Sequence, residues 1–245
     1  MLFRSVFVIP YEGRYSLIGT TDVQVESTDD AAEISADEIQ YLCEAVNRFL
    51  AKPVAPADVA WSYAGVRPLH DDGSANPSEV TRDYVLKLDH GTLAHRGAPL
   101  LTVFGGKITT YRRLAEEVVA KLAPFFPGLK GPWTEREALP GGEVGRFNAF
   151  RDEMRDRYSA LGRDLLEGIV RRHGSRAPHV LGEARSIADL GWHFGAGLTE
   201  REVEYLATEE WAMEPDDVLW RRTKCGLHMS AEERAAVGAF MKGRR

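Results

Sequence analysis

A short apolar run at 100–104 (LLTVF) ends in Gly105 and Gly106, passes through Lys107, and leads into helical periodicity over 111–122. Few chain paths satisfy such a sequence. A strand that turns through two glycines into a helix brings bare backbone to the turn, because Gly has no Cβ to block a close approach or to forbid positive φ. The first helical turn leaves N–H groups without partners, and the helix dipole favours negative charge there. Lys107 at the same point makes the junction anion-seeking. Taken alone, the glycine pair can equally close a turn and do nothing more. It is not a Walker-type phosphate loop: Leu101 stands where that pattern needs its first Gly, and Ile108 follows the Lys where Ser or Thr is required.

The 245 residues allow one large domain or two smaller ones, and an apolar content of 44% is enough for a core. A formal net charge of −6 argues against a nucleic-acid partner. The basic cluster at Lys242, Arg244 and Arg245 reads as a solvated tail, with contact to an anionic membrane surface as the alternative. Cys43 and Cys225 form no CxxC, which fits a reducing cytoplasm, and each reads as a small buried apolar residue. There is no apolar run of membrane-spanning length and no signal-peptide pattern. Strand-like sequence starts at Val6, so the chain reads as part of a longer polypeptide.

Strands at 6–9 and 15–18 flank Glu12-Gly13-Arg14 and predict a hairpin. Ser35 and Glu38 make a capping box for a helix over 36–51, in which Leu42, Cys43 and Val46 recur at helical spacing, and Pro53 and Pro56 stop it. A strand is expected at 59–66, feeding Arg67-Pro68, and another at 84–88. The Pro/Gly-rich stretch 124–142 reads as a linker. Beyond it only helices are expected, including one capped by Thr199 with Glu202 and one by Ser230 with Glu233. Trp192, Trp211 and Trp220 read as core of these helices, and Arg221, Arg222 and Lys224 as a solvated helix end. The expected fold class is α+β: an antiparallel or mixed sheet segment with two helices over 1–123 (36–51 and 105–122), the linker 124–142, and a small all-helical domain over 143–245.

Several motifs recur in a fixed order: FVIPYEG at Phe7, LIGTTD at Leu17, WSYAGVRPL at Trp61, TRDY at Thr81, PLLTVFGGKITTYRRLAE at Pro99, LPGG at Leu139 and DDVLWRRTK at Asp216. Together they resemble the C-terminal part of the FAD-dependent (aerobic, bacterial) glycerol-3-phosphate dehydrogenases along nearly the whole chain. The GxGxxG of that family's N-terminal Rossmann-type half is absent here, and its active-site histidine lies, by resemblance, before this stretch. The resemblance implies FAD as cofactor, oxidation of glycerol 3-phosphate to dihydroxyacetone phosphate by hydride transfer, and a quinone as electron acceptor. It implies a cytoplasmic protein with peripheral attachment to the inner face of the plasma membrane, and leaves a homodimer open. The isolated chain is expected to be inactive without the missing half.

The same resemblance implies roles for individual residues. Gly105, Gly106, Lys107, Ile108 and Thr109 form a second FAD contact, where main-chain amides stabilise the charge of the reduced flavin. Arg67, stiffened by Pro68, offers a bidentate clamp to the substrate phosphate, with an ion pair to Asp71 or Asp72 as the plain alternative. Arg82 draws the anion in, or simply pairs with Asp83. Thr20 bonds the substrate or closes a turn. Lys107 serves flavin or substrate phosphate. Arg112 near a helix N-terminus points to an anion or carboxylate partner. The seven histidines show no metal-ligand spacing, so no metal is expected. The reading from another class is a non-catalytic helical module that binds a protein partner.

Overall fold

The computed structural model describes residues 6–23, 33–66, 83–89 and 97–244. Arg67, Arg82, Asp71 and Asp72 lie outside the described residues. The chain divides into two compact units, Met1–Glu137 and Ala138–Arg245, a division that falls inside the stretch 124–142.

In the first unit β1 (Phe7–Tyr11) pairs antiparallel with β2 (Tyr15–Gly19). The turn works because Glu12 and Gly13 both take positive φ, +46° and +77°. The helix α1 (Ala36–Asn47) begins at the expected capping box: Ser35 Oγ accepts from the Glu38 amide at 3.2 Å, and the Glu38 carboxylate accepts from the Ser35 amide at 3.0 Å. At its other end Asn47 exchanges two hydrogen bonds with the Val54 backbone, at 2.8 and 2.9 Å, and so turns the chain into the proline segment. A second hairpin joins β3 (Val85–Asp89) to β4 (Leu100–Phe104), and α2 (Tyr111–Leu122) follows.

Neither hairpin buries a face among the described residues. Successive strand residues point to opposite faces, yet Phe7, Val8 and Ile9 are all exposed, as are Leu100, Val103 and Phe104. The stretch 59–66, expected as a strand, is not one: it has the composition but pairs with no other strand among the described residues. Backbone N–H and C=O groups hold extended chain in place only when a neighbouring strand satisfies them.

The second unit is built differently. α3 (Phe147–Arg157), α4 (Arg163–His173), the short α5 (Ala177–Leu181), α6 (Glu200–Glu209) and α7 (Ala231–Gly243) enclose a core centred on Leu161, Leu166, Ile169, Leu181, Leu206 and Val237. Each such side chain contributes about 1.5–3 kcal/mol by leaving water. The expectation of an all-helical unit needs correction. β5 (His193–Gly195) and β6 (Leu198–Thr199) form a small hairpin, because Ala196 and Gly197 take consecutive left-handed conformations, φ +48° and +73°, the pattern that reverses a two-residue turn. Phe194 and Leu198 are buried under it.

The DDVLWRRTK stretch also departs from its reading. Residues Asp217–Arg222 form a π-helical turn. Asp217 accepts from the Met213 and Glu214 amides at 2.9 and 3.1 Å and pairs with Arg221 and Arg222. Arg222 is not solvated: its guanidinium donates to the carbonyls of Glu210 and Trp211. Lys224 Nζ donates to the Trp220 carbonyl. Trp220 packs against the core as expected, and Gly226 leaves room for its ring, since a Cβ there would lie 2.8 Å from it. Trp192 and Trp211 are 65% and 82% exposed and are not core residues. The wider turn of a π-helix changes which side chains face inward. That change is invisible to a search for 3.6-residue periodicity.

Candidate functional site

The junction after β4 carries most of the residues expected to act. Gly105 has φ +72° and Gly106 φ +102°, so both adopt backbone that L side chains rarely reach. Lys107 is extended, and Ile108–Thr110 then form one tight turn. That turn satisfies the Thr110 amide, which donates to the Lys107 carbonyl at 3.0 Å, and the Tyr111 amide, which donates to Ile108. The amides of Ile108 and Thr109 precede any such partner, as at every helix start. Lys107, Ile108 and Thr109 are exposed, and Ile108 reaches 89%. A branched apolar side chain left in water beside bare glycine backbone and a lysine forms an open corner suited to an anionic, partly apolar group.

Two residues that the sequence did not single out hold this corner. A Cβ built on Gly106 would lie 3.4 Å from Tyr84 Cβ and 3.9 Å from Leu114 Cδ2, so the glycine rests on the Tyr84 side chain. The Tyr84 hydroxyl donates to Glu117 Oε2 at 2.8 Å, and this bond raises the phenol above its ordinary pKa. Tyr84 thereby ties the start of β3 to α2 across the glycine turn. The only sequence signal was Tyr84 inside TRDY, and nothing in the spacing linked it to Glu117, 33 residues on.

Arg112 finds the carboxylate partner its position called for: Nη1 lies 3.2 Å from Glu116 Oε1 and 3.4 Å from Thr134 Oγ1. Thr134 donates in turn to Glu116. Thr20 follows β2 with its side chain exposed. Its neighbour Thr21 has a structural task, donating to Glu38 Oε1 at 2.5 Å. That bond, with those from Ser35, holds the Glu38 carboxyl below the usual range. Among the described residues no hydrogen bond or ion pair joins Thr20 to Lys107. Arg67 and Arg82 belong to the undescribed stretch 67–82, so the structure does not place them. Among the described residues no group of His, Cys, Asp and Glu could hold a metal ion, and no helix is long and apolar enough to cross a membrane.

In the second unit the LPGG motif has a packing role. The Gly141 carbonyl accepts from the Ser175 amide at 3.0 Å, and a Cβ on Gly174 would lie 2.0 Å from that same carbonyl oxygen. The glycines at 141 and 174 thus let the incoming chain lie directly on the end of α4. Behind this contact Glu202 is wholly buried. Arg172 donates to both of its oxygens at 2.6 and 2.8 Å, and His173 Nε2 lies 2.8 Å from Oε1. Burial pushes this carboxyl up, but Arg172 and His173 outweigh it and hold Glu202 below the ordinary range.

Comparison with known proteins matches both units. The family model described as FAD dependent oxidoreductase matches residues 1–112, and that of the C-terminal domain of alpha-glycerophosphate oxidase matches 132–242. The glycerol-3-phosphate dehydrogenase of Pseudomonas aeruginosa is 43% identical over 240 residues, covering 98% of this chain and 46% of its own length. The D-erythritol 1-phosphate dehydrogenase of Brucella abortus is 46% identical over 235 residues, covering 95% and 46%. The aerobic glycerol-3-phosphate dehydrogenase of Escherichia coli is 41% identical over 239 residues, covering 97% and 47%. The chain therefore spans just under half the length of the curated relatives it matches. Two family models that together span almost the whole chain, and relatives alike along nearly all of it, make this chain similar to part of the FAD-dependent glycerol-3-phosphate dehydrogenases.

Proposed function

We propose that this chain forms part of an oxidoreductase that oxidises sn-glycerol 3-phosphate to dihydroxyacetone phosphate, with electrons passing from FAD to a quinone. The observation that carries the proposal is the open corner at Gly105 and Gly106, with two left-handed glycines, exposed Lys107 and Ile108, and a helix start behind them. FAD, when bound, supplies the two-electron acceptor. This chain's residues supply position and field. The glycine backbone lets the ring system approach, and the amides of Ile108 and Thr109 aim the positive end of the helix at negative charge. Lys107 adds a full positive charge to the same corner. Tyr84 and Glu117 keep the turn in register with α2.

Arg67 clamps the substrate phosphate through its planar fork, and Arg82 attracts the anion. Thr20 offers a hydroxyl to the polyol. The residue that removes the alcohol proton is not among these. The sheet residues Phe7, Val8, Ile9, Leu100 and Phe104 are exposed here, which supports a first unit that is completed by further protein. Membrane contact and a homodimer belong to this reading as the family's habits and add no residue to the site.

The relatives' names also define a second substrate reading, because one of the relatives is a D-erythritol 1-phosphate dehydrogenase. Both names describe polyol phosphates. A direct test replaces the matched stretch of the Pseudomonas aeruginosa enzyme with this chain and measures flavin absorbance and substrate-dependent dye reduction. Flavin incorporation with glycerol 3-phosphate as the better substrate supports the proposal. Preference for erythritol 1-phosphate shifts the substrate, and a folded chimera without flavin rejects the cofactor contact. In the same chimera Arg67→Ala should raise KM for the phosphate ester by about tenfold or more with flavin retained. An unchanged KM would remove that role.

A further inference from the structure

The second unit carries a groove of about 500 Å3 that the flavin chemistry does not use. Its floor is one face of α6, where Arg201, Tyr205 and Thr208 follow at helical spacing. Arg176 and His179 line it from the segment around α5, and Arg244 from the end of α7. Two of its arginines are already balanced: Arg176 lies 3.6 Å from Glu209, and Arg244 lies 3.3 Å from Glu204. Arg201 has no carboxylate within 4.0 Å among the described residues.

Gly182 leaves the Arg201 guanidinium its room: a Cβ there would lie 2.2 Å from Nη2 and 2.9 Å from Cζ. The planar fork of an arginine suits bidentate contact with an anion. Beside it Tyr205 is 7% exposed, and its hydroxyl accepts from Arg176 Nε at 2.5 Å. Glu204 and Glu209 line the groove beside the arginines and offer acceptors to hydroxyl groups. Three arginines, one of them without a carboxylate within 4.0 Å among the described residues, and two carboxylates match a ligand with an anionic end and hydroxyls beside it.

We propose that this groove binds a phosphate ester carrying free hydroxyls, either a soluble polyol phosphate or the phosphoglycerol headgroup of a lipid, with Arg201 as its principal anion contact. All of its lining residues belong to the second unit.

The test is calorimetric titration of the whole chain with glycerol 3-phosphate, and co-sedimentation with vesicles of phosphatidylglycerol in phosphatidylcholine against phosphatidylcholine alone. Saturable binding in either arm is expected, and the arm that responds identifies the source. Arg201→Gln should weaken it at least about tenfold, the worth of a charged hydrogen-bonded pair. Arg201→Lys keeps charge and stem but loses the fork, and should fall between. Arg221→Gln, outside the groove, should leave binding unchanged, and circular dichroism checks that each variant keeps its fold. Binding to neither probe overturns the proposal. So does binding that survives Arg201→Gln in a folded protein. Glycerol 3-phosphate binding abolished by Arg67→Ala and Lys107→Ala but untouched by Arg201→Gln also overturns it, and assigns the ligand to the first unit instead.

Discussion

The two units invest their apolar residues in opposite ways. In the second, Leu161, Ile169, Val170, Leu181, Leu190, Leu198 and Val237 are all fully buried, and the charged groups inside are paired. In the first, the buried apolar side chains among the described residues are Leu42, Cys43 and Val46, all on α1, while those of the hairpins are half-buried or exposed. A two-stranded hairpin is marginal by itself in water and gains stability only when a face is covered. The second unit therefore has what it needs to fold alone. The first supplies strands, two helices and a glycine corner that are far less covered among the described residues.

The comparison breaks or holds most visibly when the units are separated. Residues 138–245 expressed alone should unfold in one cooperative step in urea. Residues 1–137 alone should show no such step and should bind a hydrophobic dye such as ANS. A sharp transition in the first fragment would show that its hairpins do not need cover. A second unit that melts gradually would show that its core depends on the first.

Glu202 gives the next largest effect, and it sharpens the contrast inside the second unit. Removing one partner of a buried ion pair leaves the others uncompensated, at a cost of about 3–5 kcal/mol. Glu202→Ala, which strands Arg172 and His173, should lower the urea midpoint of the second unit accordingly, with little change in its slope. The same group sets an acid limit. Its folded pKa is depressed, so its contribution is complete above the unfolded value of about 4.3 and is lost as pH falls through the lower folded value. Stability of 138–245 should therefore fall below about pH 4, and Arg172→Gln should flatten that fall. An acid profile unaffected by the substitution would mean that the pair is not the sensor.

How much of this could be read beforehand follows from the range of the interactions involved. Capping boxes are local, and Ser35 with Glu38 and Ser230 with Glu233 start their helices as the spacing requires. The glycine corner was legible for the same reason, because Gly105, Gly106 and Lys107 are adjacent. The Tyr84 bond to Glu117 and the seat of Gly174 on Gly141 join residues about thirty apart, and no periodicity announces them. Trp192 and Trp211 misled because composition weights tryptophan toward the interior, whereas exposure is fixed by backbone direction. Trp211 sits at φ +55°, where a bulky residue turns out of the helix path. The strand expected at 59–66 lacks, among the described residues, the one requirement that a sequence cannot display, a neighbour to pair with.

Among the glycines of the second unit, the surroundings rather than the residue type set the cost. Gly174 and Gly162 both have positive φ, +53° and +79°. A side chain at Gly174 meets the Gly141 carbonyl, which is backbone and cannot turn aside, whereas Gly162 has nothing within 4 Å. Gly174→Ala should cost about 3 kcal/mol from strain and overpacking together, and Gly162→Ala about 1 kcal/mol from strain alone. Equal losses at the two sites would mean that the LPGG contact is loose in solution.

The smallest effect separates tryptophans. Trp220 lies against the core, with Gly226 beneath its ring and the Arg234 guanidinium 6.0 Å from its centroid. Trp220→Ala should cost about 3 kcal/mol, as for other large packed aromatics. Trp211 is 82% exposed, and the loop that carries it is fixed by its neighbours: Arg222 holds the carbonyls of residues 210 and 211, and Asp217 holds the amides of 213 and 214. Trp211→Ala removes a side chain from water and leaves that scaffold intact, so its unfolding free energy in urea should stay within about 0.5 kcal/mol of the parent. A loss comparable to that at Trp220 would mean that the ring is covered in solution. Because the fragment 138–245 carries its own core, repeating the measurement there and in the whole chain would show whether the cover comes from the first unit or from a second copy.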